Sequence, residues 1–329
     1  MPEELIRVCG LKKYFNASNA FGAKKGKVYA VDDVSFDIRE GETLGLVGES
    51  GCGKSTLGST ILRLTDATAG DVFFRGQNIN DLKKEQLRQM RRHIQMIFQD
   101  PYSSLNPRMT VMEIIRSPLD AFSIGTKEER EAKVLDIMEK AGLGKQHLFR
   151  YPHEFSGGQR QRVVIAKALI LNPDFVVADE PVSALDVSVR SQILNLMKEL
   201  QKEMNFTCLF ISHDLSVVKH ISNRVAVMYL GRIVEIADKT ELYQNPLHPY
   251  TKALLSAIPI PDATVKVKRQ ILKGDVPSPY NPPSGCRFHT RCPMATERCS
   301  HVAPKLHPAG ENHQVSCLLY QGDQERKDS

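Results

Sequence analysis

The stretch GLVGESGCGKSTL (residues 45–57) constrains the fold of this chain more than any other feature of its sequence. It contains the spacing Gly48-x-x-x-x-Gly53-Lys54-Ser55, follows an apolar strand-like run and opens a helix-like run. In that context the glycines let backbone N–H groups close around phosphate oxygens, and the helix start adds its positive dipole end. The sequence therefore predicts a strand–loop–helix unit within an α/β fold.

The side chains of this loop have predicted roles at a nucleotide. Lys54 reaches the β- and γ-phosphates, Ser55 binds Mg²⁺, and Thr56 helps to hold the phosphate. The predicted nucleotide contacts are Gly48, Glu49, Ser50, Gly51, Cys52, Gly53, Lys54, Ser55 and Thr56. Among them, Cys52 is expected to fill space and to carry no chemistry.

A second apolar run, FVVADEP, ends in two adjacent acids, Asp179 and Glu180. A strand that ends this way places both carboxylates at the carboxyl edge of the sheet, where open α/β folds bind ligands. Asp179 is predicted to hold Mg²⁺, directly or through water, and Glu180 to orient and activate the attacking water. Two such acids could also merely cap the next turn, but the P-loop upstream favours the catalytic interpretation.

Strand-like and helix-like runs alternate along the first 230 residues. Strands are predicted at 30–38, 43–47, 71–74, 94–98, 175–178, 207–211 and 224–229, and helices at 54–63, 127–141, 157–171 and 187–204. Three of the strands, at 43–47, 175–178 and 207–211, are nearly all apolar, which is typical of strands covered on both faces. This order indicates a parallel sheet with helices on both sides.

The stretch FSGGQRQRVVIAKAL supplies a second anion-binding edge. Ser156, Gly157, Gly158 and Gln159 precede and open a helix, where free N–H groups and small residues allow close approach to phosphate. One nucleotide rarely needs two such edges from one chain. A dimer is therefore predicted, in which the P-loop of each chain faces the SGGQ segment of the other.

With these motifs the chain resembles the nucleotide-binding subunits of ATP-binding-cassette (ABC) transporters, over residues 5 to about 260. The family usually has leucine before SGGQ; Phe155 stands there, and we expect it to be tolerated. Gln99 in IFQDP resembles the loop glutamine that senses Mg²⁺ and the γ-phosphate and transmits to the membrane subunits. Asp186 ends a stretch that resembles the loop crossing the dimer interface, and His213 resembles the switch histidine at the γ-phosphate.

The resemblance implies an ATP hydrolase with ATP and Mg²⁺ as cofactors. The implied catalytic residues are Lys54, Glu180 and His213, and the implied Mg²⁺ contacts are Ser55, Gln99 and Asp179. The family also places an aromatic side chain on the adenine: Phe15 is expected in that role, with Tyr14 and Tyr29 as alternatives.

The family resemblance implies a P-loop NTPase core of the ABC type with a helical subdomain. We expect the nucleotide-binding domain to span residues 1–258, the helical subdomain to lie at about 100–172, and a small irregular cysteine-rich extension to span 259–329. Prolines become frequent after the core, which marks the extension as separate. Residues 100–124 are where transporter cassettes bind their membrane subunits, although an ordinary helical subdomain would fit the same stretch.

The C-terminal part, with NPLHPYTKALLSAIP and the later GCRFHTRCP, resembles the same region of oligopeptide/dipeptide importer ATPases, most closely the F-type subunit. This resemblance implies a heterodimer with a related D-type ATPase, two integral membrane permease subunits and an extracytoplasmic solute-binding protein. It places the chain peripherally at the cytoplasmic face of the membrane, with no nucleic acid partner. Relatives that transport nickel or other small solutes keep the cargo open, and a soluble cassette ATPase acting on a macromolecule is the other alternative.

Four of the seven cysteines, Cys286, Cys292, Cys299 and Cys317, lie in the extension, separated by five, six and seventeen residues. Structural zinc sites usually have cysteine pairs two to four residues apart, so these gaps favour a [4Fe–4S] cluster. Members of the importer group carry such a cluster. Zinc, and unligated or disulfide-forming cysteines, remain alternatives; the nearby His289, His301 and His313 are expected at the surface.

Composition sets the outer limits. A hydrophobic content of 41%, a charged content of 25% and a net charge of +6 are those of a globular protein that binds anionic ligands or a membrane surface. No apolar run approaches the roughly 18–20 residues needed to cross a bilayer, and the acidic N-terminus is unlike a signal peptide. These observations predict a cytosolic chain, in which thiols stay reduced.

Overall fold

The computed structural model describes residues 3–17, 26–258, 272 and 274–321. The predicted link between the core and the cysteine-rich stretch, at 259–271, lies outside the described residues. The same holds for residues 18–25, which lie between the candidate aromatic residues Phe15 and Tyr29.

The described residues form twelve strands and eleven α-helices. The strands are β1 (Glu4–Ala17), β2 (Gly26–Arg39), β3 (Thr43–Val47), β4 (Ala69–Phe74), β5 (Gln77–Asn78), β6 (Ile94–Ile97), β7 (Phe175–Asp179), β8 (Thr207–Ser212), β9 (Arg224–Tyr229), β10 (Arg232–Asp238), β11 (His307–Gly310) and β12 (His313–Val315). The helices are α1 (Lys54–Ile61), α2 (Lys84–Met90), α3 (Pro101–Ser104), α4 (Val111–Ala121), α5 (Lys127–Lys140), α6 (Gly157–Leu169), α7 (Val187–Met204), α8 (Leu215–Ile221), α9 (Lys239–Gln244), α10 (Pro249–Ser256) and α11 (Arg298–His301).

All seven predicted strands and all four predicted core helices are present, and β3, β9 and α7 have the predicted bounds. Sequence reasoning missed β1 and β10. β1 carries charged residues among its apolar ones, and β10 follows β9 after a turn of only two residues. Neither strand has the continuous apolar run that identified the buried strands.

The chain divides into two compact units. The first contains the described residues of Met1–Leu5, Ile38–Thr43 and Asp81–Ile211. Its centre is a parallel ladder in which β7 pairs with β6 and with β8. Every residue of β7 is buried, as predicted for a strand covered on both faces.

Helices α4, α5 and α6 pack against one another in this first unit. Each begins with a capping box, in which a serine or threonine and the residue three positions later bond to each other's backbone N–H groups. The apolar face of α4 consists of Val111, Ile114, Ile115 and Leu119, which recur at helical spacing and are buried. These helices lie within the predicted subdomain at about 100–172, whose exact limits stay a prediction.

The second unit contains the described residues of Ile6–Asp37, Leu44–Asn80 and Ser212–Ser329. It holds a sheet with the strand order β2-β1-β4-β5 and a ladder with the order β11-β12-β10-β9-β3. In the ladder, β3 and β9 are parallel, whereas β10 pairs antiparallel with both β9 and β12. The expectation of an irregular extension is therefore wrong for β11 and β12, since these strands belong to the same ladder as the P-loop strand β3.

A buried carboxylate fixes this pairing. Glu235 on β10 is fully buried and accepts hydrogen bonds from the backbone N–H groups of Leu247 and His248, at 2.7 and 2.9 Å. Its third partner is His313 on β12, whose Nε2 lies 2.8 Å away. His313 is only 3% exposed, so its predicted position at the surface is wrong, because the imidazole is needed to satisfy Glu235.

His248 gives the second unit a stability that depends on pH. Burial lowers the pKa of His248 to about 4, while the charge of Glu235 opposes the shift. Because the unfolded chain binds a proton near pH 6.5, this contribution is complete above that pH and is lost as the pH falls towards 4. We expect a loss of about 3 kcal/mol between pH 7.5 and 4, measured by urea unfolding.

A His248→Asn variant is the matched control, because asparagine keeps a side-chain acceptor for the N–H of Tyr250 at the start of α10. Its unfolding free energy should change less over the same pH range. Equal pH dependence in the two proteins would contradict the assignment.

Candidate functional site

The phosphate-binding loop, or P-loop (residues 48–55), lies in the second unit, between the fully buried strand β3 and the first turn of helix α1. A Cβ atom at Gly48 would lie 2.2 Å from the carbonyl oxygen of Met228, and one at Gly53 would lie 1.9 Å from that of Ala30. Gly53 also has a φ of +105°, which favours glycine. The spacing of the motif is therefore required by backbone packing as well as by phosphate.

Lys54 lies inside this loop. Its side chain is 4% exposed, and Nζ donates hydrogen bonds to the carbonyl oxygens of Gly48 and Glu49, at 2.8 and 3.1 Å. Cys52 is also buried, and burial raises the pKa of its thiol although the charge of Lys54 opposes this. A neutral thiol packed beneath the loop matches the space-filling role expected of it.

Two residues far along the chain contact the loop, and sequence reasoning missed both. The backbone N–H of Glu49 donates to the hydroxyl of Tyr250, at 3.0 Å. The carboxylate of Glu49 accepts two hydrogen bonds from Arg291, at 2.8 and 3.2 Å. Arg291 lies beside Cys292 in the stretch GCRFHTRCP, but no local pattern in the sequence pairs Arg291 or Tyr250 with the loop.

A second arginine of the same stretch binds Asp32 on β2. Arg287 donates to Asp32 at 2.6 Å, and Arg232 on β10 donates to the same oxygen at 3.0 and 2.8 Å. The hydroxyl of Tyr14 donates to the other oxygen of Asp32. Burial opposes ionisation of Asp32, but these hydrogen bonds and the charge of Arg287 together hold its pKa below the usual value.

The same network separates the three aromatic candidates for adenine. The hydroxyl of Tyr14 is bound to Asp32, and its ring packs edge-on against Tyr29, with centroids 4.7 Å apart. Phe15 is 42% exposed, and the ammonium of Lys13 lies 4.9 Å from its ring centroid. Of the three rings, that of Phe15 is the most exposed, whereas Tyr14 and Tyr29 are partly buried.

The first unit carries the two acids. Asp179 ends β7 and is 5% exposed, and Glu180 follows it with a φ of +45°. A left-handed conformation is costly for glutamate, and such strain is concentrated at functional sites. It is maintained by hydrogen bonds from the N–H of Glu180 to the carbonyl of Ile211 and from the Ser183 hydroxyl to the carbonyl of Glu180, both at 3.0 Å.

Gln99 lies beside Glu180 in the same unit. Its Nε2 donates to a carboxylate oxygen of Glu180 at 3.2 Å, although the two residues are 81 positions apart. This pairing brings together the predicted sensor glutamine and the predicted base. His213 belongs to the second unit, where it is exposed and directly follows β8.

The SGGQ segment begins α6. The hydroxyl of Ser156 accepts from the N–H of Gln159 at 3.3 Å, and the Gln159 side chain accepts from the N–H of Ser156 at 3.0 Å. A Cβ at Gly158 would lie 2.4 Å from Val189 on α7, so no larger residue fits there without movement. Phe155 is 4% exposed and packs beside His147, which shows how an aromatic residue is accommodated before the motif.

The remaining predicted site residues lie on loops and helix starts. Ser50, Gly51, Ser55 and Thr56 belong to the P-loop and the first turn of α1, and Gly157 opens α6. Asp186 is the N-cap residue of α7 and is exposed.

The four cysteines of the extension are free thiols in the described structure. Within residues 3–17, 26–258, 272 and 274–321, no group of three or more His, Cys, Asp or Glu side chains is arranged to hold a metal ion. Burial raises the pKa of Cys317 to about 11; a backbone hydrogen bond at Leu319 opposes the shift, and the charges of Cys286, Cys292 and Cys299 add to it. The backbone N–H of Cys286 also donates to the carbonyl of Cys299, at 2.8 Å.

Comparison with known proteins decides the family. Residues 31–183 match the ABC transporter family, and residues 234–299 match the oligopeptide/dipeptide transporter C-terminal region. The oligopeptide transport ATP-binding protein AppF of Bacillus subtilis (strain 168) is 55% identical over 322 residues, which are 97% of this chain and 98% of AppF. The chain belongs to the ABC transporter family of ATPases.

Further relatives agree with the resemblance found in the sequence, which is confirmed. The putative oligopeptide transport ATP-binding protein YkfD of Bacillus subtilis (strain 168) is 56% identical over 319 residues, covering 96% of this chain and 95% of YkfD. A putative peptide import ATP-binding protein of Brucella ovis is 52% identical over 314 residues, which cover 95% of this chain and 97% of that protein.

Solved structures confirm the ABC-type P-loop fold. The dimeric ATP-binding cassette MJ0796 in a post-hydrolysis state with ADP and Pi is 31% identical, with a TM-score of 0.63, and covers 71% of this chain and 98% of its own. CbiO1 from Clostridium perfringens, part of the transporter complex cbiONQ, is 26% identical with the same TM-score of 0.63. The match covers 74% of this chain and 92% of CbiO1.

The Asp32 network leads to a test of stability in this ABC-family ATPase. An Asp32→Asn variant leaves Arg287 without its carboxylate, and we expect it to lower the unfolding free energy by about 3 kcal/mol at pH 7. Because the folded pKa of Asp32 is lowered, its contribution is present above about pH 4 and is lost as the pH falls below it.

The neighbouring Asp33→Asn variant is the control, because Asp33 is exposed and its left-handed backbone suits asparagine. It should stay within about 0.5 kcal/mol of the wild type. Equal losses in the two variants, measured by denaturant unfolding, would show that the buried network adds nothing.

Proposed function

We propose that this chain binds and hydrolyses Mg·ATP to drive the import of di- or oligopeptides through a membrane ABC transporter. The observation that carries the peptide cargo is the match of residues 234–299 to the oligopeptide/dipeptide transporter C-terminal region. The relatives named as oligopeptide or peptide ATP-binding proteins cover almost the whole chain. Transport of nickel or another small solute is the alternative within the same group.

In this proposal the P-loop and the acidic strand end act on one nucleotide. Lys54 moves its hydrogen bonds from loop carbonyls to the β- and γ-phosphates, and the loop N–H groups hold the remaining phosphate oxygens. Ser55, Asp179 and Gln99 are the residues that would hold Mg²⁺, which neutralises phosphate charge when it is bound. Phe15 is proposed to stack on the adenine, supported by its exposed ring.

Glu180 is proposed to orient and activate the attacking water. Its carboxylate is already positioned by Gln99, so a change at the sensor glutamine alters the residue that acts on water. His213, exposed after β8, is proposed to complete the site at the γ-phosphate. The left-handed backbone of Glu180 supports this role, because such strain is concentrated at functional sites.

The SGGQ segment is proposed to act on the nucleotide of a second, related ATPase subunit in a heterodimer. Its helix start is preorganised by the Ser156–Gln159 capping box, and close packing of Gly158 on α7 fixes its position. An anion-binding edge built in this way is suited to phosphate supplied from outside the chain.

Membrane permease subunits are the partners implied by the family. We propose that they bind the first unit at a cleft of about 460 Å³ that includes Phe98, Ser103, Pro118 and Lys167. Phe98 and Tyr102, which follow β6 on either side of Gln99, are 47% and 66% exposed. Exposed apolar side chains beside Gln99 support a contact through which a conformational change at the ATP site reaches the permease subunits.

No helix in the described part of the chain is both long and apolar enough to span a bilayer. The cytoplasmic face of the membrane and an extracytoplasmic solute-binding protein remain proposals drawn from the family.

A Glu180→Gln variant tests the proposed chemistry. We expect kcat for ATP hydrolysis to fall by at least about 100-fold, because glutamine cannot act as the base, while the Kd for ATP stays within about twofold. Steady-state phosphate release and equilibrium nucleotide binding measure the two quantities.

The matched control is Glu199→Gln, an exposed glutamate on α7 that should retain wild-type kcat. Hydrolysis by Glu180→Gln at the control rate would remove the proposed role of this residue.

We also propose that Cys286, Cys292, Cys299 and Cys317 ligate a [4Fe–4S] cluster. The support is their spacing, the backbone hydrogen bond that joins Cys286 to Cys299, the contribution of the other three thiols to the raised pKa of Cys317, and their absence from disulfides. As placed, the thiols do not form a coordination sphere, so no step of ATP hydrolysis is assigned to a cluster.

Iron content tests the cluster. Protein purified without oxygen should be brown, absorb near 400 nm and contain about four irons per chain, because four thiolates suit such a cluster. A Cys292→Ser variant should lose the iron, whereas Cys9→Ser, at an exposed cysteine of β1, should keep it. Colourless wild-type protein containing one zinc would contradict the proposal.

A further inference from the structure

The segment from Cys286 to Cys292 meets the phosphate-binding loop directly. Arg291 in this segment donates two hydrogen bonds to the carboxylate of Glu49, at 2.8 and 3.2 Å, across 242 positions of sequence. The side chain of Arg291 is 8% exposed and that of Glu49 is 25% exposed. This is a two-point, largely desolvated contact, and such contacts fix geometry far better than a surface ion pair does.

Glu49 is in turn bound to the lysine of the loop. Its carbonyl oxygen accepts from Nζ of Lys54 at 3.1 Å, and its N–H donates to the hydroxyl of Tyr250 at 3.0 Å. The backbone of Glu49 is thus held from one side by Tyr250, and its side chain is held by Arg291. Rotation of this residue would move the carbonyl that positions Lys54.

The arginine itself is held rigidly. Phe288, in the same segment, is 1% exposed, and its ring packs 5.2 Å from Tyr229 and 5.4 Å from Tyr250. Successive turns connect Phe288 to Arg291, whose N–H donates to the Phe288 carbonyl at 3.0 Å. Arg287 fixes the start of the segment on Asp32. The guanidinium of Arg291 is therefore directed at Glu49 by packed aromatic rings and not by a loose tail.

We propose that Arg291 is a positioning residue of the nucleotide site, which sets the conformation of the phosphate-binding loop through Glu49. The cysteine-rich segment thereby determines nucleotide affinity although it contributes no phosphate ligand. This inference rests on the proposed ATP site. It gives Arg291, which lies between Cys286 and Cys292, a role that does not depend on whether the thiols bind iron.

The test compares Arg291→Gln, Arg291→Lys, Glu49→Gln and the double variant Arg291→Gln/Glu49→Gln, in the full chain. The Kd for Mg·ADP should rise about tenfold in either glutamine variant. The double variant should show about the same tenfold rise and not a hundredfold one, because both changes break one contact. Arg291→Lys keeps the charge but not the two-point geometry, and should recover part of the affinity.

Further measurements separate positioning from mere stability. In ATP hydrolysis, KM should rise about tenfold in Arg291→Gln, while kcat changes less than about twofold. Lys305→Gln, which removes an exposed charge of the same extension, should leave Kd, KM and kcat at wild-type values.

Two outcomes would overturn the inference. One is a lowered melting temperature with an unchanged Kd in Arg291→Gln, Arg291→Lys and Glu49→Gln; the other is additive losses in the double variant. If Arg291→Gln fails to fold, the Arg291→Lys and Glu49→Gln variants decide the same question. A wild-type chain that binds no nucleotide would instead overturn the proposed ATP site itself, and the inference with it.

Discussion

The contacts around the P-loop depend on the buried carboxylate of Asp32, just as the pairing of β10 with β12 depends on that of Glu235. Two guanidinium groups and a phenol converge on Asp32, from β1, from β10 and from the cysteine-rich segment. In a buried ion pair the Coulombic attraction is nearly cancelled by the free energy of removing both charges from water. The main effect of this network is therefore to disfavour other packing arrangements of β1, β10 and the cysteine-rich segment, in which one of the charges would be buried without a partner. The N–H of Asp32 also donates to the carbonyl of Gly231, whose own N–H donates to the carbonyl of Cys52, both at 2.8 Å. Two consecutive backbone hydrogen bonds therefore link the P-loop to Asp32 through Gly231.

Local patterns predicted the strands and the helix that hold the candidate site residues. The strand before the P-loop, the strand before Asp179 and the capped start of α6 have signals within ten residues of themselves: an apolar run, a glycine spacing or a capping box. Gln99 and His213 are different, because a single glutamine or histidine has no local signature. They became predictable only when the order of all the motifs resembled a family.

The features that the sequence did not predict depend on contacts between residues far apart in the chain. Arg291, Tyr250 and His313 have no periodic pattern around them, and their partners lie far away in the chain. Prolines and cysteines predicted an irregular segment, and this was wrong where β12 extends the sheet and where His313 satisfies a buried glutamate. Pairing across such distances is decided by which buried polar group needs a partner, which a single sequence does not display.

The pairing of Glu49 with Arg291 also bears on how the chain is made. The second unit is assembled from three separated segments, and its P-loop acquires its last contacts from residues near the C-terminus. During synthesis at about 5–20 residues per second, the loop is translated many seconds before Arg291 and Tyr250 exist. Until then the glycine-rich loop and its lysine lack the side chains that hold them. Glu49 can therefore be bound on both its backbone and its carboxylate only after the cysteine-rich segment has been synthesised.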